Sequence, residues 1–397
     1  MRKEHGMARA QETTAITREN RHLAGFAGSD YEYLVIPSEV LAEGEFRRVD
    51  AIGEYAFAEC KNLQTVVLLE GIKRIDEYSF FGCSELKRVF LSSGLTEIGE
   101  DAFLSCARLS EISLPADLVR IGDASFWNCA DLKTITLPDG VTEIGEGAFC
   151  ASGLEKVVLP KTLANLGANA FGDCRHLESV ELYPGIAKIG INTFRDCCTL
   201  VRIDIPQGVT MIDECAFQDC VSLTSVTLPQ GLKNLGNSVF YRCSRLPAIA
   251  IPDGISILPP GAFYGCVALA DVILPESLRN IGPCAFGHCS SLTRIRIPAD
   301  VTDIGGKAFE ECTSLGDVTL PEGLLRLGGE AFAKCTSLSR ITLPASLQWI
   351  GENVFVGCSA TLKEIRYGGT LEQWSKLRPM KGIPKRTRIV CSDGAVK

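Results

Sequence analysis

One pattern of apolar and polar positions recurs from about residue 31 to residue 368. The segment Leu132-Lys133-Thr134-Ile135-Thr136-Leu137 shows it well, with apolar and polar residues alternating towards its end. A period of two predicts a strand with one buried face. Pro follows that strand in ten of fourteen units, as at Pro115, Pro138, Pro206 and Pro321. A residue with fixed φ and no N–H ends the ladder, so a corner is expected there. A second apolar pair, Val141 with Ile144 or Leu278 with Ile281, then predicts a short extended piece. The Ala-Phe-x-x-Cys stretch that follows is compact enough for one helical or 3₁₀ turn.

The spacing makes this a repeat. Phe stands at 57, 80, 103, 126, 149, 171, 194, 217, 240, 263, 286, 309, 332 and 355, in steps of 23 residues with a single step of 22. A Leu follows six residues later, except at Leu154 (five) and Leu362 (seven). Equivalent strands in successive units are expected to stack in register as a parallel sheet. At the usual strand spacing of about 4.8 Å, some fifteen rungs would make one elongated body of roughly 70 Å. In such a body a central Phe217→Ala should cost about 3–5 kcal/mol, whereas truncating the terminal Phe57 should only fray the end. The Gly after the second apolar pair (Gly53, Gly99, Gly122, Gly145, Gly351) is replaced by Asp76, Asp213 and Pro259 in other rungs. Pro cannot adopt positive φ, so close approach of neighbouring rungs explains these glycines better than a left-handed backbone.

With Leu-x-x-Ile-x-Leu-Pro, Ile-Gly and Ala-Phe-x-x-Cys on this period, the chain resembles the BspA-like leucine-rich repeat family. Tyr33-Leu34-Val35-Ile36-Pro37 leading to Ile52-Gly53-Glu54-Tyr55-Ala56-Phe57 is similar to the opening rungs of such proteins. Ile365-Arg366-Tyr367 through Trp374, with Ile389-Val390-Cys391, is similar to their C-terminal cap. The expected fold is a repeat solenoid, a leucine-rich-repeat superhelix with a parallel β-sheet on its concave face and short turns or 3₁₀ pieces on its convex side. The expected organisation is a mobile or partly helical leader over 1–30, the solenoid over 31–368 and a cap over 369–397. The resemblance implies a secreted or surface-displayed protein that binds host proteins or other cells. The leader MRKEHGMARAQETTAITRENRHLAGF has no apolar core of the kind a secretory signal needs, which as written favours a cytoplasmic location.

Composition narrows the partners. The chain is 46% hydrophobic and 22% charged, with a net charge of −8. That balance argues against nucleic acid, and no apolar run is long enough for membrane insertion. Of eighteen cysteines, thirteen stand three residues after the repeat Phe, one per rung. Parallel Cβ vectors about 4.8 Å apart miss the ~3.8 Å separation of a relaxed disulfide, and a straight row cannot surround zinc. The row is expected to be buried packing, with no metal or other cofactor. So many reduced thiols weakly favour a reducing compartment. The four histidines (His5, His22, His176, His288) are scattered, and Ile144-Gly145-Glu146-Gly147 is repeat sequence rather than a phosphate loop. No enzyme is expected.

What remains is the strand face turned away from the core. One column reads Asp271, Arg294, Asp317, Arg340, Glu364, with signs alternating as in a self-neutralising ladder. Three departures are the candidate binding sites. Val67, Arg88 and Phe90 put bulk on a face otherwise rich in Ser and Thr. Glu181 and Asp204 place like charges on consecutive rungs, with Glu178 nearby and Arg202 to offset them. Arg296 and Arg366, near Arg294, share a column with uncharged Ile273, Thr319 and Thr342. The function expected is therefore non-enzymatic binding of a protein ligand, a host or bacterial surface protein, by a monomer using its concave sheet. An intracellular scaffold for a cytoplasmic partner is the alternative.

Overall fold

The structure, a computed structural model, describes residues 8–9, 14–16, 22–26, 31–42, 45–358, 361–377 and 381–396. The chain forms two compact units, one of residues 1–186 with 192–197 and the other of 187–191 with 198–397. Each is a parallel β-solenoid, together about fifteen turns, and among the described residues the one helix is Leu371–Lys376.

In the first unit, strands Tyr33–Ile36, Thr65–Leu68, Arg88–Phe90 and Glu111–Ser113 lie parallel, with Arg88 opposite both Thr65 and Glu111. This one-repeat register carries every inward residue onto its counterpart, so Val66 and Val89 are buried one above the other. A second, two-residue ladder runs Ala51–Ile52, Arg74–Ile75, Glu97–Ile98, Arg120–Ile121, Glu143–Ile144 and Asn165–Leu166. Its outer edge is extended by His22–Phe26 and then by antiparallel Thr14–Ile16, while Ala8–Arg9 pairs with the first strand of the other ladder. The described residues of the leader are therefore strand and not helix. Between Pro37 and Val49 the first rung carries a hairpin, Glu39–Ala42 with Glu45–Arg48, closed by the Val49 N–H donating to the Ser38 carbonyl at 2.7 Å.

The second unit repeats the plan. Its outer strands include Ala248–Ala250 with Asp271–Ile273, and Val318–Thr319, Arg340–Leu343, Glu364–Tyr367 and Arg388–Cys391. The last of these turns back into antiparallel Gly394–Val396, which ends the sheet. Thr370 and Gln373 form a reciprocal capping box on the helix Leu371–Lys376, and Trp374 is buried 5.4 Å from the Tyr367 ring.

The repeat Phe residues build the core. In each unit their rings stack in a file, 5.3 Å apart for Phe80 and Phe103 and 5.4 Å for Phe286 and Phe309. The Phe80 N–H donates to the Ala102 carbonyl of the next rung at 2.8 Å, so the file is zipped by backbone as well as by rings. The outer segments are hydrogen-bonded turns, as where the Leu104 N–H donates to the Asp101 carbonyl at 3.1 Å. Each turn contains two left-handed residues, two before and two after the Phe, such as Asp101 and Ser105 around Phe103. Close approach does account for the glycines after the apolar pair. A Cβ on Gly99 would stand 2.9 Å from the Ile75 carbonyl oxygen, and one on Gly122 would stand 2.6 Å from the Gly99 carbonyl carbon.

The outer ladder is not continuous. Among the described residues no strand forms at 294–296, and around 134–137 pairing falls to one bridge, Thr134 with Lys156. The second interruption coincides with the single 22-residue step, where Ser152 takes the place of the ladder cysteine and Gly153 comes so close to the preceding turn that a Cβ would overlap the Ala130 carbonyl. The bridge nonetheless joins equivalent positions, so the register survives the shortened turn.

Candidate functional site

The outer strand face presents the residues that repeat geometry leaves to solvent. In the first unit Phe90 lies opposite Val67 on one side and Ser113 on the other, and its ring is 53% exposed. Arg88 sits two residues away on the same strand and reaches back to the Thr65 hydroxyl at 3.4 Å. Val67, Arg88 and Phe90 thus form one small patch. Glu178 is exposed at the head of the strand Ser179–Glu181, and its N–H donates to the Glu155 carbonyl at 2.8 Å. The Glu181 carboxylate accepts from the Tyr183 hydroxyl at 3.1 Å, and that acceptor raises the Tyr183 phenol above its ordinary pKa.

In the second unit Arg202 and Asp204 form a 2.5 Å ion pair along one strand, and the Thr227 hydroxyl donates to Asp204 at 2.9 Å. The Arg202 guanidinium, followed by that hydroxyl, holds the Asp204 carboxyl below the usual range. Arg296 reaches Glu276 at 2.8 Å, a residue of the preceding corner and outside its own column. Arg366 meets Glu364 at 2.6 Å on its own strand, and Arg340 lies between Asp317 at 3.5 Å and Glu364 at 3.3 Å. Glu364 is therefore held low, by Arg366 first. Arg294 is exposed in the interrupted stretch. These guanidiniums are mostly paired, which leaves them oriented rather than neutralised, since each pair remains solvated.

A depression of 260 Å³ lies on the first unit, lined by Ile135, Thr136 and Leu137 of one turn, Lys156, Val158, Leu159, Pro160 and Lys161 of the next, and Tyr183 of the one after, with Asp139 at the corner. Val158 is 51% exposed, and the Lys161 ammonium stands 5.3 Å over the Tyr183 ring. Tyr183 occupies the corner position that Pro138 and Pro206 hold elsewhere. Sequence reasoning did not single out this place, although the 22-residue step and the Tyr-for-Pro exchange both mark it. A larger groove of 460 Å³ borders the second ladder, where Arg120 bridges Glu97 at 2.8 Å and Glu143 at 3.3 Å.

The cysteine ladder is structural. In most rungs between Cys83 and Cys358 a thiol donates to the carbonyl of the preceding rung's Phe, as for Cys106 to Phe80 at 3.2 Å and Cys289 to Phe263 at 3.2 Å. Burial pushes the Cys266 and Cys312 thiols up to about 12, so they are protonated and non-nucleophilic at neutral pH. In the short rung the Ser152 hydroxyl lies 3.3 Å from Cys174 Sγ. His288 packs against Glu311 at 2.9 Å and tilts towards the Tyr264 ring at a left-handed turn position, while His176 is exposed. Trp127 and Trp349 are both exposed. Among the described residues no group of three or more His, Cys, Asp or Glu side chains is placed to hold a metal ion, and no helix is long and apolar enough to cross a membrane.

Parallel turns of 23 residues, a stacked Phe core and an outer strand face define a leucine-rich repeat solenoid. The family model for the BspA type leucine rich repeat region (6 copies) matches residues 50–178, 142–270 and 256–377, and the chain belongs to that family. It is accordingly a repeat protein of the protein-interaction kind. No curated protein matches it in sequence. Among solved structures it is similar to a leucine-rich repeat protein from Bacteroides ovatus, with 27% identity, a TM-score of 0.72, and 96% of this chain and 97% of that one covered. The pneumococcal vaccine antigen PcpA shares the fold at 20% identity and a TM-score of 0.52, over 93% of this chain and 86% of that one. A leucine-rich cell surface protein from Faecalibacterium prausnitzii aligns at 24% identity and a TM-score of 0.49, over 93% and 96%.

Proposed function

We propose that the chain is a non-enzymatic, adhesin-like interaction protein that captures a protein ligand on the concave, outer strand face. The observation that carries this reading is the in-register column of outward side chains. Register fixes the spacing of Val67 and Phe90, and the strand period fixes that of Arg202 with Asp204 and of Arg366 with Glu364, so these side chains are held on a rigid backbone before any ligand arrives. Preorganised side chains lose little freedom on binding, and a shallow sheet face suits a folded protein better than a small molecule. Family membership supports display at a cell surface, where such a face would meet host or bacterial surface proteins.

The test compares capture by three purified variants: Arg88→Glu with Phe90→Asp, Glu181→Lys with Asp204→Lys, and Arg296→Glu with Arg366→Glu. The expected outcome is that at least one loses the protein retained by the native chain while keeping its melting temperature, because exposed charge changes scarcely alter stability. Unchanged capture by all three would move the binding surface off the strand face. Protease shaving of intact cells, with a cytoplasmic protein as control, tests display. Peptides of this chain released only after lysis would exclude the surface role.

A further inference from the structure

We infer that the depression at the 22-residue step is the ligand-anchoring subsite of the strand face, and that it takes an extended peptide segment carrying an apolar side chain beside a carboxylate. The inference rests on the protein-binding function proposed above and assigns it a place and a chemistry.

Among the described residues, three features meet there. The first is the break in the ladder. With pairing reduced to Thr134 and Lys156, the main chain of Ile135 to Leu137, which are among the residues lining the depression, lies outside any described strand and lacks the cross-rung pairing seen between Lys156–Val158 and Ser179–Glu181. Such groups favour a partner that is itself extended backbone. The second is apolar surface. Val158 stands opposite Glu181 in the register, and its half-exposed side chain lies on a face where most turns carry Ser, Thr or a charge. Together with Pro160 and the Tyr183 ring it gives an apolar side chain something to bury against.

The third is charge. Two lysines, Lys156 and Lys161, line the depression against Asp139 alone. Lys161 is steadied over the Tyr183 ring, and the hydroxyl of the same tyrosine draws the Glu181 carboxylate to itself. Tyr183 therefore sorts the local charges: it holds an ammonium on its face and a carboxylate at its tip. An incoming carboxylate would meet ammonium groups at the rim. A corner proline, as in most turns, could do neither.

The experiment pans a displayed library of random short peptides against the full chain, then titrates resynthesised peptides into variants that retain the native melting curve. Enriched peptides should place Asp or Glu within a residue or two of a Leu, Ile, Val or Phe. Lys156→Glu combined with Lys161→Glu should weaken them about tenfold or more, and the milder Lys156→Gln with Lys161→Gln should weaken them less. Val158→Asp should abolish binding. Glu181→Gln should strengthen it, because it removes a competing carboxylate that Tyr183 holds near the rim lysines, whereas Arg296→Glu with Arg366→Glu should leave it unchanged. Enrichment without an acidic bias, no enrichment at all, or affinity that follows Arg296 and Arg366 would overturn the assignment. Whole-protein capture that fails in the other strand-face variants but survives these would show that the strand face binds while this subsite does not anchor. Capture indifferent to every one of them would remove the broader function as well.

Discussion

At the scale of single residues, the buried thiol is where position in the repeat matters most. A thiol that donates to a Phe carbonyl and sees no solvent is protonated when folded, whereas the same thiol ionises near pH 9 once the chain opens. The folded value for Cys174, Cys266 and Cys312 is raised to about 12 by burial. The sign follows directly. The stability these groups contribute is whole below pH 9, and it drains away as pH rises from there towards 12, by up to about 1.4 kcal/mol per pH unit for each thiol. Urea melts at pH 7, 9 and 10.5 should therefore show a midpoint that falls steeply above pH 9, with a shallower fall for Cys266→Ala. A slope unchanged by that substitution would refute the account. For the buried ladder thiols, the same burial weakens the compartment argument that the cysteine count suggested. Thiols that do not ionise and cannot reach a partner persist in an oxidising medium as well as in a reducing one.

At the scale of the element, each turn is shaped by two positions that take a left-handed backbone, and most turns by a glycine that lets the preceding rung approach closely. Ala151 sits at φ 55° in the short turn, and Gly122 lies with its Cα against the Gly99 peptide. Ala151→Gly should hold or raise the melting temperature, because it relieves a left-handed alanine worth roughly 1–2 kcal/mol against a backbone-entropy cost of about 0.5–1 kcal/mol. Gly122→Ala should lower stability by about 1–3 kcal/mol, since the added methyl meets main chain that cannot rotate aside. Calorimetry that returned the opposite order would contradict this division of roles. The glycine position was legible in the sequence because Pro259 occupies it once, and proline excludes positive φ. The left-handed pair was not, because Tyr55, Cys215, Lys307 and other side chains fill positions that Asn, Asp and Gly merely favour. The hairpin over 39–48 was hidden for another reason: its residues carry no repeat signal, and Phe46, 76% exposed at Glu45–Arg48, reads in the sequence like any core phenylalanine. The candidate site was legible as a face and not as a place. Periodicity names the residues that point outward, but where Arg296 and Arg366 find Glu276 and Glu364 depends on side-chain reach around a corner or along a strand.

At the scale of the molecule, a solenoid unit has no single centre, and its stability is close to a sum over neighbouring turns. The Phe file makes that concrete within the first unit. Phe103 stacks on Phe80 at 5.3 Å and on Phe126 at 5.4 Å, and it is fully buried. In the same file Phe57 is stacked on Phe80 at 5.3 Å, and the turn before it belongs to the hairpin-bearing first rung. Phe103→Ala removes two ring contacts and leaves a cavity that neighbouring turns, zipped by backbone hydrogen bonds, cannot collapse into. A loss of about 3–5 kcal/mol is expected. Phe57→Ala removes the ring contact with Phe80 at a place where the turn can open without disturbing its successors, so it should produce an early, shallow pre-transition in urea with the main midpoint nearly unmoved. Hydrogen exchange should agree: amides around Phe57 would exchange through local opening in that variant, while those around Phe126 keep their protection. If both substitutions shifted the main transition equally, the turns would be folding as one indivisible core, and the strand-face residues could not be varied turn by turn without consequence for the rest. Independence of neighbouring turns is what lets a repeat protein of this kind alter Tyr183 or shorten one turn by a residue and keep the remainder of its sheet in register.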